Sequence, residues 1–411
     1  MKEKILVVDD VDTIARVYAR FLERQGYEVR IAFNGEQALE EWNKFHPDLI
    51  ISDIRMPKRS GFELANTIRK KAPKQKIILM TEIRKDYILD RWVIIAPHRR
   101  KRPHRTTCES KKSYQQIEET CPFCYGNEDM TPPEILRKPN TKRWKVRVVE
   151  NKYPALIDKV EFKETVKKFL YKMSGYGKHL VIVDSPSHNK HPAFFSLKQW
   201  ELWFETIKDL ISFFMPNENI KYVFVFKNHG YEAGASLPHP HSQVIALPTI
   251  PFMILEELEK ASLYYQTQGT CVFCDILEVE TKMKKRIIFQ NDKVVAFCPF
   301  APRWPYEVWI FPKQHSPTIY LKRSVQRQVS FVLREVLKAY YYLLDDPSFN
   351  FYLHMAYPRM EDHVTQSFHF HIELFPRLER DAGFELGAGM NITTISPEKS
   401  AKDLRKFMKG V

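Results

Sequence analysis

Two Cys-x-x-Cys pairs, Cys121-Pro-Phe-Cys124 and Cys271-Val-Phe-Cys274, are each followed by two distant histidines: His188 and His239 after the first, His315 and His369 after the second. Thiolate sulfur and imidazole nitrogen are ligands zinc prefers, and two of each close a tetrahedral shell. The repeated order predicts two structural zinc sites, with His354 and His371 competing with His315 and His369 as ligands of the second. A closed site stabilises folding and leaves no open position for catalysis, so the chemistry must sit beside it. The first set runs into Pro238-His239-Pro240-His241-Ser242-Gln243. On a strand, residues two apart leave by the same face, and Pro240 between them marks an edge or irregular strand. His239 can then be tied to metal while His241 stands at a cleft, where a neutral imidazole is a competent nucleophile at phosphorus. Gln243, Ser242 and Ser236 add polar groups nearby. The alternative is that His241 is a further metal ligand or a satisfied core histidine. The second His-x-His, His369 and His371, has Glu373 at the glutamine position, which predicts one nucleophile per chain.

These residues need a frame. In the first repeat the thiol pair precedes the apolar segment HLVIVDSPSH, read as a strand ending at His188. A helix over Leu197 to Phe214 follows, then the strand KYVFVFKN, then LPHPHSQVIALP. In the second, YEVWIFPKQH ends at His315, a helix runs from about Arg323 to Leu344, and NFYLHMAY precedes SFHFHIELFP. Strand, histidine, helix, strand and His-x-His strand thus occur twice, which predicts two α+β units packed as one pseudo-twofold body. The aromatic stripes at helical spacing are read as core.

The first 82 residues differ. Only Pro47, Pro57 and Pro73 of 26 prolines fall there, and short apolar strands alternate with helices. Strands are read at Ile5–Val8, Glu28–Ala32, Leu49–Ser52 and Lys76–Met80. Helices are read at Thr13–Gln25, Gly35–Lys44 and Gly61–Lys71, the first with Ile14, Val17, Tyr18, Phe21 and Leu22 inward. Asp9 and Asp10, Asp53 and Thr81 follow successive strand ends, where carboxylates can hold Mg²⁺ and leave one to accept a phosphoryl group. The segments ILVVDDVDT, DLIISDIRMPKRSGFEL and IILMTE resemble a response-regulator receiver domain over about residues 3–82. That resemblance implies an α/β, incomplete flavodoxin-like domain over 1–82. Asp53 would be its phosphosite, Asp9 and Asp10 its magnesium ligands, Thr81 its switch hydroxyl and a histidine kinase its phosphodonor. The family's last strand, its lysine and its final helices have no counterpart here.

A length of 411 residues allows two or three domains, and 44% hydrophobic residues suffice for real cores. No apolar run is long enough to span a bilayer, the start does not read as a signal peptide, and four of six cysteines sit in CxxC pairs. A reducing cytoplasm is therefore expected, with Cys108 and Cys298 as small apolar residues. The formal charge of +14 and the run His98-Arg99-Arg100-Lys101-Arg102 admit nucleic acid or an anionic small molecule. No nucleic-acid module accompanies the run, which favours a phosphate-bearing substrate.

With these pieces assembled, residues 83–411 resemble the galactose-1-phosphate uridylyltransferase family of the histidine-triad superfamily. RKDYILDRWVIIAPHRRKRP, CPFC, SPSH, KNHGYEAGASLPHPHSQ and FHFHIELFPR carry the likeness. It implies α+β tandem histidine-triad half-domains with antiparallel sheets over 83–255 and 256–411. It also implies a ping-pong transfer of UMP from UDP-glucose to galactose-1-phosphate through a uridylyl-His241 intermediate. Gln243 would bond the nucleotidyl phosphate and Ser236 the departing phosphate, while Arg99, Arg102 and Asn228 would line the nucleotide site. A homodimer is implied as well. Other members hold iron at the second site through glutamate and histidines, for which Glu257 is the candidate here. The glycine-rich AGFELGAGMN also resembles the ADP-glucose phosphorylases, so an ADP-sugar enzyme stands as the alternative, with a phosphorylation-responsive nucleotide-binding protein as another.

Overall fold

Short runs such as Ile5-Leu6-Val7-Val8 and Leu49-Ile50-Ile51 are too brief for helices and rich in β-branched residues, and they form the inner strands of a parallel sheet. The computed structural model describes residues 2–53, 56, 58–79, 82–95 and 118–408. Two compact units emerge. The first holds the described residues up to Ile83 with Ile94 and Ile95; the second holds Arg84–Val93 and everything described from Glu118 on.

In the first unit β1 (Lys4–Val8), β2 (Glu28–Ala32), β3 (Leu49–Ser52) and β4 (Lys76–Leu79) lie in the order β2-β1-β3-β4, all parallel. The crossovers are α1 (Asp12–Arg24), α2 (Gly35–Phe45) and α3 (Gly61–Lys71). Asn34 caps α2, and Ser60 with Glu63 closes a capping box on α3. Leu6, Val8, Ile50, Leu64 and Ile68 form the core. Gly61 is required: a Cβ there would lie 2.1 Å from the Asp53 carbonyl oxygen. The inward face expected for α1 is corrected. Ala15 and Ala19 are the buried residues, whereas Val17 and Phe21 are 67% and 60% exposed, and Ile14 and Tyr18 are exposed too. Two alanines let the helix sit close on the sheet and turn the large apolar stripe outward. Met80 and Thr81 lie outside the described residues.

The strands β5 (Glu82–Lys85) and β6 (Trp92–Ile95) flank, in sequence, a buried turn at Asp86–Leu89. Beyond them come β7 (Glu134–Lys138), β8 (Val146–Glu150), the hairpin β9 (Glu164–Lys167) and β10 (Leu170–Met173), and β11 (Lys178–Val183). Next are α4 (Leu197–Phe214), β12 (Tyr222–His229), β13 (His241–Leu247), α5 (Phe252–Gln268) and α6 (Val272–Met283). The rest comprises β14 (Ile287–Gln290), β15 (Val294–Phe297), β16 (Val308–Pro312), α7 (Arg323–Leu343), β17 (Phe349–His354), α8 (Asp362–Ser367), β18 (His371–Pro376), α9 (Gly383–Ala388), β19 (Asn391–Thr393) and α10 (Pro397–Met408).

Ten of these strands form one antiparallel sheet in the order β14-β15-β16-β18-β17-β12-β13-β11-β8-β7. From the β12–β17 seam outward, β13, β11, β8 and β7 on one side face β18, β16, β15 and β14 on the other. The strands of the two repeats join in a single sheet because β12 and β17 pair from Val225↔Leu353 to His229↔Phe349, leaving neither inner edge open. α4 and α7 pack on one face, where Trp200, Trp203, Phe204, Val336 and Phe351 are fully buried. Paired residues share a face. The opposite face therefore carries His179 on β11, His241 and Gln243 on β13, Phe226 and Asn228 on β12, Asn350 and Tyr352 on β17, and His371 and Glu373 on β18.

Candidate active site and metal-ligand clusters

The strand HLVIVDSPSH does not run to His188. β11 ends at Val183, and the irregular Asp184–His188 segment delivers the imidazole to the turn at Cys121–Cys124. His239 likewise lies just before β13, since neither Pro238 nor Pro240 has an N–H to begin a ladder. Cys124 Sγ lies 3.4 Å from His188 Nδ1 and 3.6 Å from His239 Nδ1; Cys121 Sγ is 3.7 Å from His239 Nδ1. With metal–sulfur about 2.3 Å and metal–nitrogen about 2.1 Å, a tetrahedral centre puts sulfur and nitrogen about 3.6 Å apart. The four buried side chains thus already have the spacing of a four-ligand site. His239 Nε2 donates to the Ser185 carbonyl at 2.8 Å, which leaves the Nδ1 lone pair for the metal. Burial lowers the pKa of His239 to about 3 and pushes the Cys121 thiol up to about 11, so a bound cation must displace the thiol proton.

The second quartet is Cys271, Cys274, His315 and His369. Here the pair begins α6, with Cys271 at its N-cap, and Cys274 Sγ lies 3.4 Å from His315 Nδ1 and 3.6 Å from His369 Nδ1. β16 ends at Pro312, so His315 is reached by loop and is exposed. The competing histidines are placed elsewhere. His354 and His371 join Glu257 and Glu373 in a separate buried cluster. His371 Nε2 is 3.7 Å from both carboxylates, and a cavity of about 400 Å³ lined by Phe224, Leu247 and Trp309 opens beside them.

His241 is buried at the first residue of β13, its ring 5.5 Å from that of Phe123. Its Nδ1 lies 2.8 Å from the His239 carbonyl, which only accepts, so the proton is on Nδ1 and the lone pair on Nε2. Burial, then the positive charge of Lys227, lowers its pKa and keeps the ring neutral.

Two amides flank it. The Ala155 N–H donates to His179 Nδ1 at 3.2 Å, so His179 Nε2 carries the proton and donates to Gln243 Oε1 at 2.9 Å. Asn350 Nδ2 donates to Asn228 Oδ1 at 2.8 Å. Both carbonyl ends are thereby occupied, which turns the –NH₂ ends of Gln243 and Asn228 into the groups left to meet an anion. Ser236 is exposed on the loop before His239. Arg99 and Arg102 lie outside the described residues.

Sequence reading missed several groups. Beneath β13, Lys227 and Asp184 form a buried ion pair of 2.6 Å. His179, the residue that orients Gln243, was also missed. So was the group His191, His229 and Asp346, at the far end of β12. There His191 Nδ1 accepts the Ala193 N–H at 3.0 Å, so His191 Nε2 keeps its proton toward Asp346 and is not free to bind a metal. In the first unit the carboxylates of Asp9, Asp10 and Asp53 lie within 4.8 Å of one another.

Residues 5–91 match the response regulator receiver domain, residues 70–251 the N-terminal domain of galactose-1-phosphate uridyl transferase, and residues 195–410 a domain of unknown function, DUF4921. ADP-glucose phosphorylase of Arabidopsis thaliana is 32% identical over 79% of this chain and 92% of its own. Galactose-1-phosphate uridylyltransferase of Thermotoga maritima is 31% identical over 80% of this chain and 98% of its own. A crystal structure of an Arabidopsis thaliana ADP-glucose phosphorylase with bound ADP-glucose superimposes with a TM-score of 0.69, covering 80% of this chain and 99% of that one. With a receiver domain ahead of it, the larger part of the chain makes this protein a nucleotidyltransferase of the galactose-1-phosphate uridylyltransferase family.

Proposed function

We propose that the protein moves a nucleoside monophosphate from a nucleoside-diphosphate hexose to a phosphate-bearing acceptor through a covalent intermediate on His241. The observation that carries this reading is the His241 Nδ1 contact with the His239 carbonyl, which leaves Nε2 as the nucleophilic nitrogen. The Nε2 lone pair forms a bond to the α-phosphorus. The bond from that phosphorus to the bridging oxygen breaks, and its electron pair leaves on hexose-1-phosphate. The ring becomes cationic without losing a proton, and the His239 carbonyl stabilises the charge at Nδ1–H. An oxygen of the acceptor phosphate then attacks phosphorus, the N–P bond breaks and the imidazole is restored. The amide N–H groups of Gln243 and Asn228 bind the nucleotidyl phosphate through both steps, with the Ser236 hydroxyl on the departing phosphate and Arg99 and Arg102 on the nucleotide. Cys121, Cys124, His188 and His239 hold one structural zinc and Cys271, Cys274, His315 and His369 a second. The first fixes His239 and, through its carbonyl, the orientation of His241.

The nucleobase divides the reading. Uridine, with galactose-1-phosphate as acceptor, is supported by the Thermotoga maritima relative, similar over 98% of its length. Adenine, with phosphate as acceptor, is supported by the Arabidopsis thaliana relative and the ADP-glucose in the similar structure. Intact-protein mass spectrometry after brief mixing with UDP-glucose or ADP-glucose decides. An acid-labile uridylyl or adenylyl adduct, absent from His241→Ala, identifies mechanism and base together. No adduct from either donor, or an adduct surviving in His241→Ala, overturns the covalent reading.

A further inference from the structure

A lysine and an aspartate lie where a core should be apolar. On β12 the residues facing the helices are Val223, Val225 and then Lys227; the first two and the lysine are at most 1% exposed. Lys227 Nζ donates to Asp184 Oδ2 at 2.6 Å and to the main-chain carbonyl of His241 at 2.8 Å. Asp184 Oδ2 also accepts from Ser242 Oγ at 3.0 Å, and that hydroxyl accepts from Trp203 Nε1 on α4 at 3.1 Å. The Asp184 main-chain N–H donates to the Pro240 carbonyl at 3.0 Å. Every member of this network is fully buried, on the face of β13 opposite the His241 side chain.

Such a pair is a poor device for stability alone, because apolar residues of equal volume usually serve as well. Its location explains it. Pro238 and Pro240 supply no N–H, so the ladder is interrupted just where the nucleophile enters β13. Charge-assisted hydrogen bonds are shorter and stronger than the neutral ones they replace. Here one of them fixes the His241 carbonyl through the Lys227 ammonium, which the Asp184 carboxylate holds in place together with the Ser242 hydroxyl, while a neutral main-chain bond from Asp184 holds the preceding Pro240 carbonyl.

We propose that Lys227 and Asp184 are positioning residues for nucleotidyl transfer, clamping the backbone of His241 from behind so that Nε2 is held in line with the α-phosphorus. The inference rests on His241 being the nucleophile. It assigns the pair no contact with substrate, so loss of the clamp slows bond formation and leaves donor binding unchanged.

The test is single-turnover labelling by the donor that labels the wild-type enzyme, followed by quench and intact mass, across donor concentrations. Lys227→Met alone strands a buried carboxylate and risks unfolding. The decisive variant is therefore Lys227→Met with Asp184→Asn, neutral and close in volume, checked for wild-type metal content and melting temperature. The expected result is a maximal labelling rate lower by about tenfold or more, with the half-saturating concentration unchanged. Lys227→Gln in the same Asp184→Asn background keeps a donor for the His241 carbonyl and is expected to recover part of the rate. A folded double variant that labels at the wild-type rate overturns the proposal, as does a loss confined to donor affinity or equal rates for the Met and Gln versions. Failure of the nucleophile itself looks different: wild type unlabelled, or His241→Ala still labelled.

Discussion

Cys124→Ser tests the link between metal and nucleophile. Cys124 Sγ is the sulfur that both imidazoles approach, at 3.4 and 3.6 Å, and the residue has no solvent exposure. These distances match the roughly 3.6 Å sulfur–nitrogen edge of a tetrahedral zinc centre, so a cation enters without rearranging the ligands. Binding to such quartets is worth about 10–16 kcal/mol in small zinc domains, comparable to the whole stability of an ordinary domain. The cost of the mutation is smaller, because the turn keeps other ties: the Asn127 side chain donates to the Cys121 carbonyl at 2.8 Å and to the Glu118 carbonyl at 3.1 Å. Removing one member of a buried, fully engaged set costs about 3–5 kcal/mol. In a unit of this size that lowers the melting temperature by about 10 °C. Metal analysis by mass spectrometry should show one equivalent fewer than wild type, while Cys271→Ser independently loses the other. Nucleotidyl labelling should slow as well, since the His239 carbonyl that fixes His241 is no longer anchored. Unchanged metal content with an unchanged melting temperature would refute the four-ligand assignment.

His179→Phe removes the donor that turns the Gln243 carbonyl away from the site, and should slow labelling by about tenfold with little change in melting temperature; a wild-type rate would break the relay from Ala155 through His179 to Gln243. Burial lowers the pKa of His229 to about 4, with the charges of His191 and Lys227 adding to the effect and Asp346 opposing it. Between about pH 6.5 and 4 the unfolded chain therefore takes up a proton that the folded one refuses, and stability falls as pH falls through that window. Thermal melts of wild type should show this slope and those of His229→Gln should show less; identical slopes would exclude His229 as its source. Asp53→Asn should leave basal nucleotidyltransferase activity unchanged, since Asp53 lies in the first unit, with Asp9 and Asp10, whereas Asn228, Ser236, His241 and Gln243 lie in the second; a large loss in a steady-state assay would refute that separation.

The helix limits Leu197–Phe214 and Gly61–Lys71 were legible from apolar spacing and cap residues alone, and so was the recurring ligand order. The ligand residues of each quartet are within reach of one another because the spacing pattern reports chemistry directly. What misled was periodicity without packing. The apolar stripe of α1 reads as a buried face, yet Ala15 and Ala19 make the contact and Val17 and Phe21 face solvent. Strand ends were overrun at His188, His239 and His315, where prolines and ligand geometry stop the ladder before hydrophobicity does. One signal was readable and passed over. In Val223-x-Val225-x-Lys227 a charge occupies the core-facing phase of a strand, and Asp184 directly follows Val181-Ile182-Val183. A charge in that phase demands a buried partner.

The same strand geometry occurs twice, and the two copies differ in the charges around the second histidine. His371 repeats His241: it opens β18, and its Nδ1 faces the His369 carbonyl at 2.9 Å. Its Nε2 lies 3.7 Å from Glu257 and from Glu373, whereas His241 has the neutral amide of Gln243 at the position of Glu373. Glu373 is paired with the Arg303 guanidinium and Glu257 lies 2.8 Å from His354, so a phosphate brought to His371 would have to enter a buried set of charges that already satisfy one another. A cation bound by Glu257, His354, His371 and Glu373 would take the His371 Nε2 lone pair as a ligand. Filled, the cluster takes the His371 Nε2 lone pair; empty, it leaves that lone pair enclosed by Glu257, Glu373 and His354 and not by neutral amides. Replacing Glu373 by Gln is accordingly insufficient to create a second active site, because Glu257 and His354 still surround the ring. Adduct mapping in Glu373→Gln should find His241 alone modified, and a labelled His371 peptide would show that the carboxylate at 373 was the whole barrier.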